Sequence, residues 1–201
     1  MAPEAPPSRS LFITVGSTLF EALTTTCLSA PFLSALANAG VEDLVVQYGR
    51  AQLELPPDVK VVKDEAGGGG EAVLLAGDGG ELGAKVGVRV RVMRYTDDFE
   101  GEVRRASWVI SHAGSGSILT ALRARKPLLV VPNTSLMDNH QAQLALALDS
   151  GGYLTVSTPG RLIDALPAFL DGSSGAGHEP FPEVQKGRFA SILDETAGYI
   201  G

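Results

Sequence analysis

Three short stretches of this chain carry residues suited to holding an anion. Ser111–His112–Ala113–Gly114–Ser115–Gly116–Ser117 follows the apolar run Trp108–Ile110 and leads into a helix-like pattern. Gly16–Ser17–Thr18 follows the apolar run Leu11–Val15, and the polar loop from Asn133 follows Leu128–Val131. Glycines remove side chains where a ligand nears the backbone. A helix start adds free N–H groups and the positive end of its dipole, which suits a diphosphate. The same residues also fit a plain strand-to-helix turn that needs small side chains for packing. In either case Ser115 or Ser117 is expected to cap the helix.

Two histidines, His112 and His140, fall in these stretches. An imidazole there could contact phosphate or sugar, or move a proton. A binding or structural role is the favoured reading, and His112 is the one catalytic candidate. Asp97–Asp98 could hold a metal, but as a pair at a helix start they read better as a cap. No metal site is assigned. His112, His140 and His178 lack zinc spacing. Gly-x-x-x-x-Gly-Lys-Ser/Thr does not occur, Gly-x-Gly-x-x-Gly does not follow the first strand, and Ser115 lacks the glycines of a nucleophile elbow.

The elements that must position these residues alternate. Strands are expected at Leu11–Val15, Leu44–Tyr48, Val59–Val62, Val86–Val92, Trp108–Ile110, Leu128–Val131 and Tyr153–Val156, as mostly apolar or alternating runs. Helical pattern covers 19–29, then a helix with Pro31 in its first turn ending near Gly40. Further helices end near Arg105 and Arg125, and others span 140–148 and 159–170. Such alternation predicts an α/β fold, a Rossmann-like, mostly parallel sheet with helices on both faces. Ligands of such folds bind beyond the carboxyl ends of the strands. Gly16–Thr18, Tyr95–Thr96, His112–Ser117 and the loop from Asn133 would all lie there, which favours the phosphate reading. Residues 1–10, with Pro3, Pro6 and Pro7, read as a disordered leader, and 11–170 as the domain. Within it, 64–85 is a flexible Gly-rich loop. Residues 171–186 form a linker, and 187–201 hold a final amphipathic helix, a candidate for docking a partner.

Bulk properties narrow the function. The chain has 201 residues, 44% of them hydrophobic, a size and composition suited to one globular domain. A net charge of −7 without a basic stripe argues against nucleic-acid binding. The single cysteine, Cys27, cannot form an internal disulfide and fits a reducing compartment. No secretory signal and no apolar run of membrane-spanning length is read, so the expected place is cytoplasmic.

Taken together, Ser111–Leu119, Lys126–Pro127–Leu128 and Ser135–Leu136–Met137–Asp138–Asn139–His140–Gln141, with Leu11–Thr18 and Gln47–Tyr48–Gly49–Arg50, resemble the asparagine-linked glycosylation 13 family. The resemblance covers most of 11–156. It implies the donor-binding half of a GT-B glycosyltransferase, similar to that of the bacterial lipid II N-acetylglucosaminyltransferase. The implied activity is an inverting transfer of N-acetylglucosamine from UDP-N-acetylglucosamine to dolichyl-diphosphate-N-acetylglucosamine. This is the second step of lipid-linked oligosaccharide assembly for N-glycosylation, and no cofactor is implied. By the same resemblance, Gly16, Ser17 and Thr18 would face the diphosphate, and the backbone at Tyr95 and Thr96 the uracil. His112, Ala113, Gly114, Ser115, Gly116 and Ser117 would hold phosphate and ribose, while Asp138, Asn139, His140 and Gln141 would face the sugar. Relatives commonly carry Asp or Glu, contacting the ribose, where this chain has Thr120. The implied partner is the membrane-anchored, acceptor-binding asparagine-linked glycosylation 14 protein, at the cytosolic face of the endoplasmic reticulum. No base for the acceptor hydroxyl is identified, and the partner is a candidate source. Two alternatives are a non-catalytic nucleotide-sugar-binding module and another UDP-sugar enzyme, such as an epimerase.

Overall fold

The computed structural model describes residues 9–52, 88–134, 139–174 and 179–182. The expected strand at Val59–Val62, the Gly-rich loop 64–85, Asp138, His178 and the helix within 187–201 lie outside them. Ser10–Thr14 (β1) is buried at every position, as a central strand covered on both faces requires. Asp43–Gln47 (β2), Arg89–Met93 (β3), Trp108–His112 (β4), Leu128–Val131 (β5) and Thr155–Val156 (β6) complete one sheet. All its pairings are parallel, in the order β3-β2-β1-β4-β5-β6. Chain order reverses between β1 and β4, so the carboxyl ends of those two neighbours flank the switch point of the sheet.

Side chains alternate across the strands and divide the core in two. Leu11, Ile13, Leu44 and Ile110 pack under Glu21–Cys27 (α1), Ala30–Asn38 (α2) and Leu162–Leu170 (α6). Phe12, Val109, Leu128 and Val130 pack under Phe99–Arg105 (α3), Ser115–Arg123 (α4) and Asn139–Ser150 (α5). The sheet is therefore covered on both faces, as alternation predicted. Cys27 is fully buried on α1, and burial pushes its thiol pKa far up.

Local chemistry sets the element ends. Ser29 caps α2 by accepting from the Phe32 N–H at 3.4 Å, and Pro31 sits in its first turn. Ser29→Ala should cost about 1 kcal/mol in urea unfolding, with the slope of the transition unchanged. Gly40 and Gly152 end α2 and α5 at φ +73 each. Asp98 caps α3 by accepting from the Gly101 N–H at 3.0 Å, and its other oxygen takes Arg105 at 3.2 Å. Those bonds hold its carboxyl below the usual range and make it a cap, as the paired acids suggested. The half-buried Arg91 of β3 pairs with the buried Glu102 of α3 at 2.6 Å, which pins that helix to the sheet.

Three boundaries differ from expectation. Ser10, assigned to the leader, opens β1, and Arg9 lies with its guanidinium 5.3 Å from the Trp108 ring centre. The helix expected over 159–170 is a 3-10 turn, Pro159–Arg161, followed by α6. Most described residues of the expected linker are exposed, but Phe181 is half-buried. Phe181 meets Tyr153 edge-to-face with ring centres 5.5 Å apart.

Candidate functional site

The switch point is built from turns that all leave carboxyl ends of strands. Gly16, after β1, takes φ +59, a conformation that glycine reaches without strain. The Ser17 side chain is exposed, while the Thr18 hydroxyl turns back to donate to the Val15 carbonyl at 2.7 Å. After β4, the backbone enters α4 through Ala113, which is buried, and Gly114, which is the N-cap.

Here the structure corrects a sequence expectation. Neither Ser115 nor Ser117 caps α4; Gly114 holds the cap position and no side chain accepts from the first turn. Ser115 and Ser117 are already inside the helix, one and three residues past the cap, where their own N–H groups are donors rather than served ones. The start of α4 thus has no side-chain acceptor of its own, as is true of α1 and α6, whereas α2 and α3 are capped by Ser29 and Asp98. Ser115 and Gly116 are exposed, and a Cβ on Gly116 would meet nothing within 4 Å. An anion can therefore approach the first N–H groups of this nine-residue helix and its positive dipole end.

His112 joins the two turns. The residue is 6% exposed. A Cβ on Gly16 would lie 2.6 Å from its Cε1, and one on Gly114 would lie 2.3 Å from its Nε2. The imidazole is wedged between two glycines that must stay bare. Its Nδ1 is buried without a hydrogen-bond partner of proper geometry. Burial pulls its pKa below the ordinary imidazole range, opposed in part by the Thr14 backbone. A neutral wedge is what this setting favours. The unfolded imidazole titrates near 6.5 and the folded one lower. Between those values the unfolded chain holds a proton that the folded chain lacks. Stability that is present above about pH 6.5 is therefore lost as pH falls through and below it. The urea midpoint should drop more between about pH 7.5 and about pH 5.5 in the wild type than in His112→Gln.

The remaining turns are laced to these two. Gly49, after β2, donates its N–H to the Arg94 carbonyl at 3.0 Å, and the Arg50 N–H donates to Thr18 O at 3.1 Å. Asn133, after β5, donates from Nδ2 to the Leu19 carbonyl at 3.0 Å. Tyr95 is 44% exposed after β3, and the Thr96 hydroxyl accepts from the Asp98 N–H. Asn139, His140 and Gln141 open α5 beyond β5, with Gln141 half-buried; Asp138 and the side chains of Asn139 and His140 lie outside the described residues. Thr120 stands one turn further into α4. Its hydroxyl donates to Gly116 O at 2.9 Å, and it lines a groove of about 380 Å³ with Glu100 and Arg104 of α3. A cavity of about 430 Å³ lies elsewhere, over the opening residues of β1, β2 and β3. Its arginines, Arg89, Arg91 and Arg105, are already paired with acids. Among the described residues, no group of three or more His, Cys, Asp or Glu could hold a metal.

Sequence reasoning missed two buried polar residues below the Gly16 turn, Thr14 and Gln47. Each is the one polar residue in its apolar run before the strand ends, and that was a readable signal.

All-parallel pairing in this order, with open turns at the reversal, defines the doubly wound class of α/β domain. Residues 10–176 match the glycosyltransferase family 28 C-terminal domain. The UDP-N-acetylglucosamine transferase subunit ALG13 of Cryptococcus neoformans var. neoformans is 47% identical over 195 residues, covering 94% of this chain and 97% of that one. An NMR solution structure of ALG13 is similar with a TM-score of 0.61 at 31% identity, covering 94% of this chain and 96% of that one. MurG of Acinetobacter baumannii shares the fold, with a TM-score of 0.62 at 16% identity, covering 96% of this chain and 51% of that enzyme. The chain belongs to the ALG13 family, on the glycosyltransferase family 28 C-terminal fold. No helix among the described residues is long and apolar enough to cross a membrane.

Proposed function

We propose that this chain binds UDP-N-acetylglucosamine at the switch point and is the donor-binding, catalytic half of a two-subunit glycosyltransferase. The observation that carries this is the α4 start, left without a side-chain cap, beside a Gly16 turn that His112 holds against it. The names of the similar proteins support the sugar nucleotide. In this reading the diphosphate lies against Gly16–Thr18 and the N–H groups of Ser115, Gly116 and Ser117. Tyr95 and Thr96 meet the uracil, Thr120 meets the ribose, and Asp138 to Gln141 meet the sugar.

The chemistry follows from that placement. Transfer leaves negative charge on the departing UDP, and main-chain dipoles fixed in advance stabilise it without reorganising. One displacement by an acceptor hydroxyl inverts the sugar carbon. The acceptor is dolichyl-diphosphate-N-acetylglucosamine. A membrane-anchored partner, the asparagine-linked glycosylation 14 protein, supplies the acceptor-binding half and the base, and holds the pair at the cytosolic face of the endoplasmic reticulum. No cofactor takes part. The enclosure of His112 against Gly16 and Gly114 favours a wedge that shapes the site.

Calorimetric titration of UDP and UDP-N-acetylglucosamine tests the binding. Co-expression with the partner, followed by a transfer assay on the lipid-linked acceptor, tests the reaction. Binding without transfer would leave a nucleotide-sugar module. No binding of either nucleotide, with the partner present, would overturn the proposal.

A further inference from the structure

Gln47 is 4% exposed and Thr14 is fully buried, both at the last position of their strands. A buried primary amide must satisfy two donors and an acceptor. Its Nε2 donates to the Gly16 carbonyl at 2.7 Å and to the Arg94 carbonyl at 3.0 Å. Its Oε1 accepts from the Thr14 hydroxyl, and Thr14 Oγ1 in turn accepts from the Gly16 N–H at 3.0 Å. Gly16 is thereby held through both its N–H and its carbonyl. Arg94, which leads into Tyr95–Thr96, is tied to the same amide.

We infer that Gln47 is a positioning residue for nucleotide binding, its one side chain setting the spacing between the Gly16 turn and the Arg94–Thr96 loop. The inference rests on the nucleotide reading above. In that reading the first turn meets the diphosphate and the second meets the base, so Gln47 fixes the span the ligand must match. It touches no ligand itself. A side chain of the same shape without donors would face two carbonyl oxygens with a third oxygen, and the two turns would part.

Gln47→Glu supplies that shape. At neutral pH its carboxylate keeps the Thr14 bond and repels both carbonyls. Once protonated it donates again to one of them. A carboxyl so placed takes its proton well above the ordinary carboxylate range. The experiment measures the UDP dissociation constant of the full chain across pH for wild type, Gln47→Glu and Ser29→Ala, together with amide exchange at Gly16. Ser29→Ala is the control that loosens the fold away from the crevice. The expected result is about tenfold weaker UDP binding by Gln47→Glu at neutral pH. The wild-type-to-variant ratio should shrink as pH falls, and the Gly16 amide should exchange faster. Thr14→Val, which removes the hydroxyl beneath Gly16, should weaken UDP in the same direction if Gln47→Glu does not fold. An affinity within about twofold of wild type, or a loss that is flat with pH and matched by Ser29→Ala, overturns the inference. If the wild type binds no UDP, the nucleotide reading fails instead. The clamp is then judged by Gly16 exchange alone, and unchanged exchange overturns it.

Discussion

Gly114→Val is expected to weaken UDP binding on the order of a hundredfold while the chain still folds. The sequence suggested that a side chain here would crowd the phosphate; the structure gives a more direct cause. A Cβ at Gly114 would stand 2.3 Å from Nε2 of His112. Gly16 crowds the same Cε1–Nε2 edge of the ring: a Cβ there would stand 2.6 Å from Cε1, so an imidazole displaced from Gly114 disturbs the Gly16 turn as well. Either the imidazole or the α4 start must move, and both line the crevice. Overpacking of this kind costs about 1–3 kcal/mol of stability. The binding loss should be larger, on the order of a hundredfold, because the N–H groups of Ser115 to Ser117 move together. Calorimetry with UDP and a urea melt separate the two effects. A double-mutant cycle with His112→Ala locates the clash. The coupling between the positions should reach about 1 kcal/mol or more, since the smaller side chain makes room. Additive effects, or full UDP affinity in Gly114→Val, would remove His112 from its place as the wedge.

The largest loss of stability from a single methyl group should come from Gly49→Ala. Gly49 has φ +58, which costs an alanine about 1–2 kcal/mol before any contact is counted. Its Cβ would also meet Gly16 O at 2.6 Å and Thr18 O at 2.7 Å. Both are backbone atoms and neither can rotate away, so a further 1–3 kcal/mol of strain, roughly, is expected. The total, about 2–5 kcal/mol, should appear as a lower urea midpoint. UDP affinity should fall as well, because the yielding atoms belong to the Gly16–Thr18 turn. Thr155→Ala, on the short edge strand β6, serves as the comparison, expected within about 1 kcal/mol of wild type. A Gly49→Ala melt that matches it would show that the turn gives way freely.

The elements were legible because each is a local pattern. Leu128–Val131 is a four-residue apolar run between Pro127 and Pro132, and β5 has those bounds. The order of strands was not legible: parallel neighbours such as β1 and β4 are joined by nearly a hundred intervening residues, and no local period records which one lies alongside. The switch point, and with it the meeting of Gly16 and Gly114, therefore came only from the sheet. The helix cap was misassigned because Ser115 and Ser117 have capping chemistry, yet Gly114 already holds the extended backbone that a cap position needs, with ψ 124. Thr14 and Gln47 were readable one at a time as polar ends of apolar runs. Their bond spans 33 positions and needed the register of β1 against β2.

The sealed thiol on the first helix has a practical use. Cys27 is the chain's one cysteine, it is fully enclosed, and its proton is held tightly, so an alkylating reagent reaches it only when that helix lifts from the sheet. Its labelling rate is thus a clock for local opening just beyond the Gly16 turn, and any small molecule that grips that turn should slow the clock.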